Sequence, residues 1–268
     1  MATPVSAALL RPGPIHQVRL DITSRCNLRC VYCAVSHPDY HGADMDAVTA
    51  RRAIDLILNL ARHNPLDPID LNGHGETTYR EGWTDLCFAL VERGLRVRIT
   101  SNFAKPFNET EFEALASMET IAVSVDSANP KLVRDLRRRV DLRQIVTNIA
   151  FVRATALRLR RPPPRFAFLC GLYDRNTIGW DDLARLAISL GIVDIGLWSL
   201  TEHDGLDVPE KDRVRPLDSL TDEELLPRMV AIRRGLNLLR RHGVNVNVQG
   251  GFVEALERRI HRNGQLDA

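Results

Sequence analysis

The sequence predicts an α/β fold, and two observations support this prediction. Six short apolar runs alternate along the chain with segments in which apolar residues recur every three or four positions. This alternation of strand and helix favours parallel strands joined by right-handed crossovers. With 268 residues, 44% of them apolar, the chain can bury one large core. We therefore expect a partial (β/α)6 barrel of the TIM-like kind, followed by a C-terminal helical and strand extension.

The apolar runs have the features of β-strands. Each is short, is bounded by Gly, Pro, Asn or Asp, and is enriched in Val, Ile, Leu or Phe. We expect these strands to be covered on both faces. They span residues 16–23, 67–73, 96–102, 120–127, 164–173 and 193–201.

The segments between the strands have the apolar spacing of amphipathic helices. They span residues 48–63, 82–94, 108–118, 142–157 and 180–191. Two residue pairs, Asn108 with Glu111 and Thr221 with Glu224, have the spacing of capping boxes. Glycines stand where helices should end, at Gly94, Gly191 and Gly243.

The chain divides into three predicted parts. Residues 1–15 form a disordered lead, because their apolar run lacks a basic start and breaks at Arg11 and Pro12, unlike a signal peptide. Residues 16–201 form the barrel core. Residues 202–268 form an extension, with a helix from Thr221 to His242, an alternating segment and a final helix, which closes the barrel or covers its site.

Charge and cysteine content limit the classes of partner. The net charge is only +2, and the arginine-rich stretch 156–165 is expected to be a solvated helix end, so nucleic acid is not indicated. No apolar stretch is long enough to span a membrane. Five cysteines, three of them within eight residues, favour a metal site in a reducing compartment, and we expect a cytoplasmic protein.

Every conspicuous motif follows one of the predicted strands. Cys26, Cys30 and Cys33 come after the first strand, and Gly-rich or polar segments follow the others. The carboxyl ends of parallel strands meet at one edge of a barrel, where active sites are built. Structural zinc and common iron–sulfur clusters take four protein ligands, so three thiolates leave one position open.

These motifs resemble those of the radical SAM family. Its C-x3-C-x-Φ-C motif is matched by Cys26, Cys30, Tyr32 and Cys33. Residues 73–76, Gly-His-Gly-Glu, stand where the family has a Gly-Gly-Glu-Pro type motif, and Thr77 replaces its proline. Ser124 and Asp126 match an S-x-D pattern on the fourth strand. The resemblance covers about residues 16–201.

The resemblance implies two cofactors and a set of residues that bind them. The three cysteines would hold a [4Fe–4S] cluster, and the amino and carboxylate groups of S-adenosylmethionine would bind the fourth iron. An electron from a donor such as flavodoxin or ferredoxin would cleave the cofactor to a 5′-deoxyadenosyl radical, which takes hydrogen from the substrate. By position, the cofactor-binding residues would be Tyr32, Gly75, Glu76, Asn102, Ser124, Asp126 and Arg137.

The substrate and outcome are less constrained. The chain has no cysteine after Cys170, so we expect one cluster and a redox-neutral outcome such as epimerisation, rearrangement or elimination. The acidic, histidine-bearing segment after the sixth strand favours a carbohydrate or another small polar metabolite. If Cys170 faces inward, it is the candidate hydrogen donor. Candidate substrate contacts are His74, Tyr173, Trp198, Glu202 and His203.

Alternatives remain open from the residues alone. The enzyme could modify a peptide, although no peptide-binding accessory domain is evident in the sequence. The protein could instead be a zinc-stabilised binding module without enzymatic activity, with His37 or His41 as the fourth zinc ligand. Glu76 could be a helix-capping carboxylate instead of a cofactor ligand.

Overall fold

The computed structural model describes residues 13–200 and 208–262, in which seven parallel strands form one sheet in the order β1 to β7. No pairing joins β7 to β1 within these residues, so the sheet is an open, partial barrel, and the predicted α/β fold is confirmed. The strands are β1 (Val18–Arg19), β2 (Ile69–Leu71), β3 (Val97–Ser101), β4 (Thr120–Ser124), β5 (Arg165–Leu172), β6 (Asp194–Ser199) and β7 (Asn245–Val248).

Helices connect the strands and cover the outer face of the sheet. Both predicted capping boxes are present, at Asn108 and Thr221, and the three predicted helix-ending glycines have positive φ angles. The helices are α1 (Ala47–Ala61), α2 (Trp83–Val91), α3 (Glu109–Ala116), α4 (Pro130–Arg137), α5 (Leu142–Arg158), α6 (Trp180–Ser189), α7 (Asp222–Arg241) and α8 (Phe252–Arg262).

The structure adds one helix that was not predicted and shows where the strand of the extension pairs. Helix α4 was not predicted, although Asn129 caps it and Pro130 occupies its first turn, a combination that marks helix starts. The extension also contributes β7, which pairs in parallel with β6, Ile195 opposite Val246. The extension therefore continues the sheet through one further helix and strand.

The two faces of the sheet have different chemistry. On the outer face, Ile121, Val123, Phe166 and Phe168 are at most 1% exposed and pack in the main hydrophobic core. The inner face lines an open lumen with charged and polar side chains. The expectation that both faces are covered is therefore wrong, because an open barrel leaves its inner face in contact with solvent.

Two predicted segments lie wholly or partly outside the described residues. Of the predicted lead, only residues 13–15 are described, and residues 201–207, which follow β6, lie outside the described ranges. Within the described residues, every helix is too short or too polar to cross a membrane.

Candidate active site

The three motif cysteines lie on the loop after β1, at the carboxyl edge of the sheet. Cys26, Cys30 and Cys33 are half-buried free thiols that line a cavity of about 500 Å³. Between them, Leu28 and Val31 are buried at 2% and 3% exposure. Burial of these two apolar side chains fixes the loop against the protein while the three cysteines face the cavity.

The environment of the thiols disfavours their charged form. Burial raises the pKa of Cys26 to about 11 and that of Cys30 to about 12, so both are neutral thiols at pH 7 when no metal is bound. The positive charge of Arg137 acts in the opposite direction on Cys30. Iron ligation requires thiolates, so assembly of a cluster must release these protons.

The three thiols match the three protein ligands of a cluster that keeps one iron free of protein ligands. In the described part of the chain, no group of three His, Cys, Asp or Glu side chains is arranged as the ligands of a single metal ion. His37, a predicted zinc ligand, instead lies 3.9 Å from the Asp39 carboxylate. A cubane cluster binds each thiolate through a different iron, which suits three separated sulfurs around one cavity.

The glycine loop after β2 lies directly against the cysteine loop. The Gly75 N–H donates to the Thr23 carbonyl at 3.1 Å, and the Glu76 N–H donates to the Arg25 carbonyl at 2.8 Å. A Cβ atom on Gly75 would lie 2.3 Å from the Arg25 carbonyl oxygen and 2.5 Å from that of Thr23. Only glycine allows this approach, so Gly75 holds the two loops of the cavity together.

The Glu76 carboxylate is buried at 3% exposure and lines the cavity, but four donors from the protein already bind it. One oxygen accepts from the Thr78 N–H at 3.2 Å and from the Thr78 and Ser101 hydroxyls at 2.7 Å each. The other accepts from the Asn102 N–H at 2.7 Å. The carboxylate therefore caps the short helical turn Thr77–Tyr79 and ties the end of β2 to the end of β3.

Asp126 and Arg137 bind each other. The Arg137 Nε and Nη2 atoms donate to the two Asp126 oxygens at 2.7 and 3.2 Å, and both side chains are at most 6% exposed. The Tyr32 hydroxyl donates to the same carboxylate at 2.5 Å. Arg137 and Tyr32 line the cavity, whereas Asp126 does not, so Asp126 contacts cavity-lining residues without lining the cavity itself.

Other predicted residues also face the cavity. Ser124, Asn102 and Trp198 all line it. The Asn102 side-chain amide lies 3.9 Å from the Cys26 sulfur and 2.8 Å from the Asn27 side-chain oxygen. The Trp198 ring lies over Gly171, where a Cβ atom would approach the ring within 2.5 Å. The absence of a side chain at Gly171 thus sets the position of the indole.

Cys170 does not face the cavity, so the inward orientation on which its predicted role as a hydrogen donor depends is not met. Its neighbour Leu169 lines the cavity, and alternation along β5 turns Cys170 to the opposite face. There it is fully buried in the helix-covered core, where the Asn176 side-chain amide nitrogen lies 3.8 Å from its sulfur. Burial raises the pKa of the thiol well above its usual range.

Four predicted substrate contacts lie away from the cavity or outside the described residues. The His74 side chain is 84% exposed, and its ring lies 3.4 Å from Asp21. Tyr173 is fully buried beneath Tyr32, with 5.4 Å between ring centroids. The remaining two, Glu202 and His203, lie in the segment 201–207, which the structure does not describe.

A second cavity, which was not predicted from the sequence, lies in the lumen next to the first. It measures about 670 Å³ and shares four lining residues with the cysteine cavity: Arg19, Asn72, Thr100 and Leu169. Its walls carry the inward residues of the strands. Polar residues at alternating strand positions, such as Asp70 and Asn72 in the second predicted strand and Arg98 and Thr100 in the third, were the signal that could have revealed it.

Comparisons with known proteins agree with this geometry. GTP 3′,8-cyclase of Alkaliphilus metalliredigens is 28% identical over 179 residues, covering 65% of this chain and 53% of the relative. S-adenosylmethionine-dependent nucleotide dehydratase of Selenomonas ruminantium is 30% identical over 118 residues, covering 43% and 41%. This chain spans about half the length, or less, of the curated relatives it matches.

Solved structures show the same fold. SuiB of Streptococcus suis bound to S-adenosylmethionine aligns with a TM-score of 0.65 at 17% identity, covering 88% of this chain and 50% of that one. Methylornithine synthase (PylB) aligns with a TM-score of 0.56 at 12% identity, covering 95% and 83%. The family model of the radical SAM superfamily matches residues 20–186. The chain therefore belongs to the radical SAM superfamily, whose members use a [4Fe–4S] cluster and S-adenosylmethionine.

Proposed function

We propose that this radical SAM enzyme acts on a small polar metabolite that carries an anionic group, with a redox-neutral outcome. The observation that carries the proposal is the position of Arg19, which lines both the cysteine cavity and the lumen cavity next to it. A substrate bound in the lumen would reach the cofactor site past this side chain.

Arg19 differs from other charged residues of the lumen because it has no counter-ion among the described residues. Asp70, which is 1% exposed, pairs with Arg98 at 2.7 Å between carboxylate and guanidinium. Arg165 pairs with Asp194 at 2.8 Å. The Arg19 side chain forms no ion pair or hydrogen bond with any residue in the described ranges. An unpaired guanidinium beside a cavity suits a phosphate or carboxylate.

The protein supplies the positions, and the cofactors supply the radical chemistry. When bound together, the cluster and S-adenosylmethionine generate the 5′-deoxyadenosyl radical that removes a hydrogen atom from the substrate. The cysteines anchor the cluster at one side of the cavity. Trp198 and Tyr32 form an aromatic wall of the cavity, with 5.9 Å between ring centroids.

The names of the relatives support an anionic substrate. One relative is named for GTP and another for a nucleotide, and both substrates carry phosphate. The dehydratase name denotes loss of water, which is a redox-neutral change. Nucleotides are therefore the first anionic metabolites to test as substrates. The residues that favoured a carbohydrate lie in the segment 201–207, outside the described ranges.

Two further assignments belong to this proposal. We propose that the enzyme receives its electron from a small donor protein such as flavodoxin or ferredoxin. We also propose a cytoplasmic location, because five free cysteines and an oxygen-sensitive cluster suit a reducing compartment.

The test compares charged and uncharged substrates with the anaerobically reconstituted enzyme, S-adenosylmethionine and dithionite. The panel contains nucleoside triphosphates, sugar phosphates, the corresponding nucleosides and sugars, and a short peptide. We expect only the anionic compounds to stimulate 5′-deoxyadenosine formation, with deuterium from the labelled substrate appearing in it. Equal stimulation by the uncharged compounds, or stimulation by the peptide alone, would contradict the proposal.

Arg19→Met tests the residue directly. A hydrogen-bonded ion pair with the substrate is worth about 1.5–3 kcal/mol, so the KM for the anionic substrate should rise about tenfold or more. Slow 5′-deoxyadenosine formation without substrate should remain unchanged. Arg165→Met removes an arginine that is already paired, and it should change the KM much less. Similar KM values for the two variants would refute the role of Arg19.

A further inference from the structure

We infer that Asp126 and Arg137 form a charge-neutral buried pair, in which each charge cancels the effect of the other on the reduction potential of the cluster, and that the pair positions Tyr32. In this assignment, neither side chain uses its charge to bind the carboxylate of S-adenosylmethionine. The inference requires the cluster but is independent of the substrate proposed above.

Asp126 and Arg137 neutralise each other's charge. Arg137 donates through Nε and Nη2 to the two Asp126 oxygens, and the Gly171 N–H lies 3.4 Å from one of them. The Asp126 side chain is 0% exposed and that of Arg137 is 6% exposed. Loss of one partner would leave the other as an uncompensated buried charge, which proteins tolerate poorly. The two charges must therefore be considered together.

Three contacts join this pair to the cysteine loop. The Tyr32 hydroxyl donates to Asp126, and the Val31 N–H donates to the Leu136 carbonyl at 2.8 Å. The Cys30 sulfur lies 3.8 Å from the Arg137 carbonyl oxygen. The residues between the second and third cysteines are thus held against the end of α4, with the buried pair at the point of contact.

The backbone at the end of α4 maintains this contact at a conformational cost. Arg138 and Arg139 have φ angles of 45° and 65°, which residues with a Cβ atom rarely adopt. Such conformations persist where surrounding contacts enforce them, and they occur often at functional sites. Here the turn directs the Arg137 carbonyl to Cys30 while its guanidinium faces Asp126.

The arrangement has an electrostatic consequence for the cluster. Reduction adds one negative charge to the cluster, so a nearby cation favours reduction and a nearby anion opposes it. In the native pair these effects offset each other. Asp126→Asn leaves the Arg137 cation unopposed and should raise the reduction potential. Arg137→Gln leaves the Asp126 anion unopposed and should lower it. The double variant removes both charges and should restore it.

The experiment is a redox titration of the reconstituted cluster without S-adenosylmethionine or substrate, followed by the electron paramagnetic resonance signal of the reduced form. We expect opposite shifts in the two single variants, each about tenfold in the reduction equilibrium, or 59 mV for one electron. The double variant should lie within about threefold of the native protein. Glu257→Gln serves as the control, because it removes one charge of an α7–α8 ion pair that lines neither cavity.

Opposite shifts of the reduction potential in the two single variants would distinguish an effect of charge from structural disruption. A general loosening of the cysteine loop would shift both single variants in the same direction and the double variant further, which would overturn the inference. Equal potentials in all variants would overturn it as well. If a single variant does not retain iron, the double variant becomes the test. A double variant that retains the cluster at a near-native reduction potential supports the inference, and a double variant that loses the cluster refutes it. Thermal unfolding of the iron-free proteins reports folding separately.

Discussion

Glu76→Ala separates a structural role of this carboxylate from a role in binding the cofactor. The side chain accepts hydrogen bonds from two backbone N–H groups and two hydroxyls across the ends of β2 and β3. The hydroxyls can rotate to other acceptors, but the N–H groups of Thr78 and Asn102 cannot. Alanine would therefore leave two buried donors unpaired.

The expected loss of stability follows from the number of hydrogen-bond donors left without an acceptor. A hydrogen bond to a charged group is worth about 1.5–3 kcal/mol, so two lost acceptors cost about 3–6 kcal/mol. For a domain of this size, at about 2–4 °C for each kcal/mol, the melting temperature should fall by about 6–24 °C. Glu76→Gln retains one oxygen for the Asn102 N–H and should cost about half as much.

The assay is thermal unfolding of the iron-free protein, paired with calorimetric titration of S-adenosylmethionine into the reconstituted protein. The control is Glu81→Ala, an exposed carboxylate nearby that should change stability by less than about 0.5 kcal/mol. If Glu76→Ala melted like the native protein yet lost affinity for S-adenosylmethionine, the carboxylate would be a cofactor ligand and the structural reasoning would be refuted.

Four other changes test the site and the packing around it. Replacing any one motif cysteine with alanine should abolish iron retention, measured as iron per protein, whereas Cys170→Ala should retain iron and product formation because its sulfur faces the core. Gly75→Ala should weaken S-adenosylmethionine binding at least tenfold, because its Cβ would meet backbone oxygens that cannot rotate away; unchanged affinity would exclude that clash. Burial acts to raise the pKa of Glu111, but the hydrogen bond from Lys105 and other donors lower it. Its contribution to stability is therefore present at neutral pH and lost as the pH falls below the ordinary value of 4.5; Glu111→Gln should flatten this acid limb of the unfolding free energy.

Several features could be predicted from the sequence because their causes are local. Alternating strand and helix segments indicated the parallel sheet, and cap residues such as Asn108 marked helix starts. The cysteine spacing and the position of Gly75 identified the two loops that meet at the cavity. Helix α4 was missed although its signal is also local, an asparagine followed by proline.

The sequence alone determined the fold class, the cysteine loop and the family, because these depend on periodicity and on motifs within short segments. Only the tertiary structure decided which face of β5 Cys170 occupies, since alternation makes both faces equivalent until the helices cover one of them. It also decided that Asp126 pairs with Arg137 and that Glu76 binds donors 25 and 26 residues away. Partners of buried polar groups depend on distances between elements, and those distances exist only after the sheet has curved and the loops have packed.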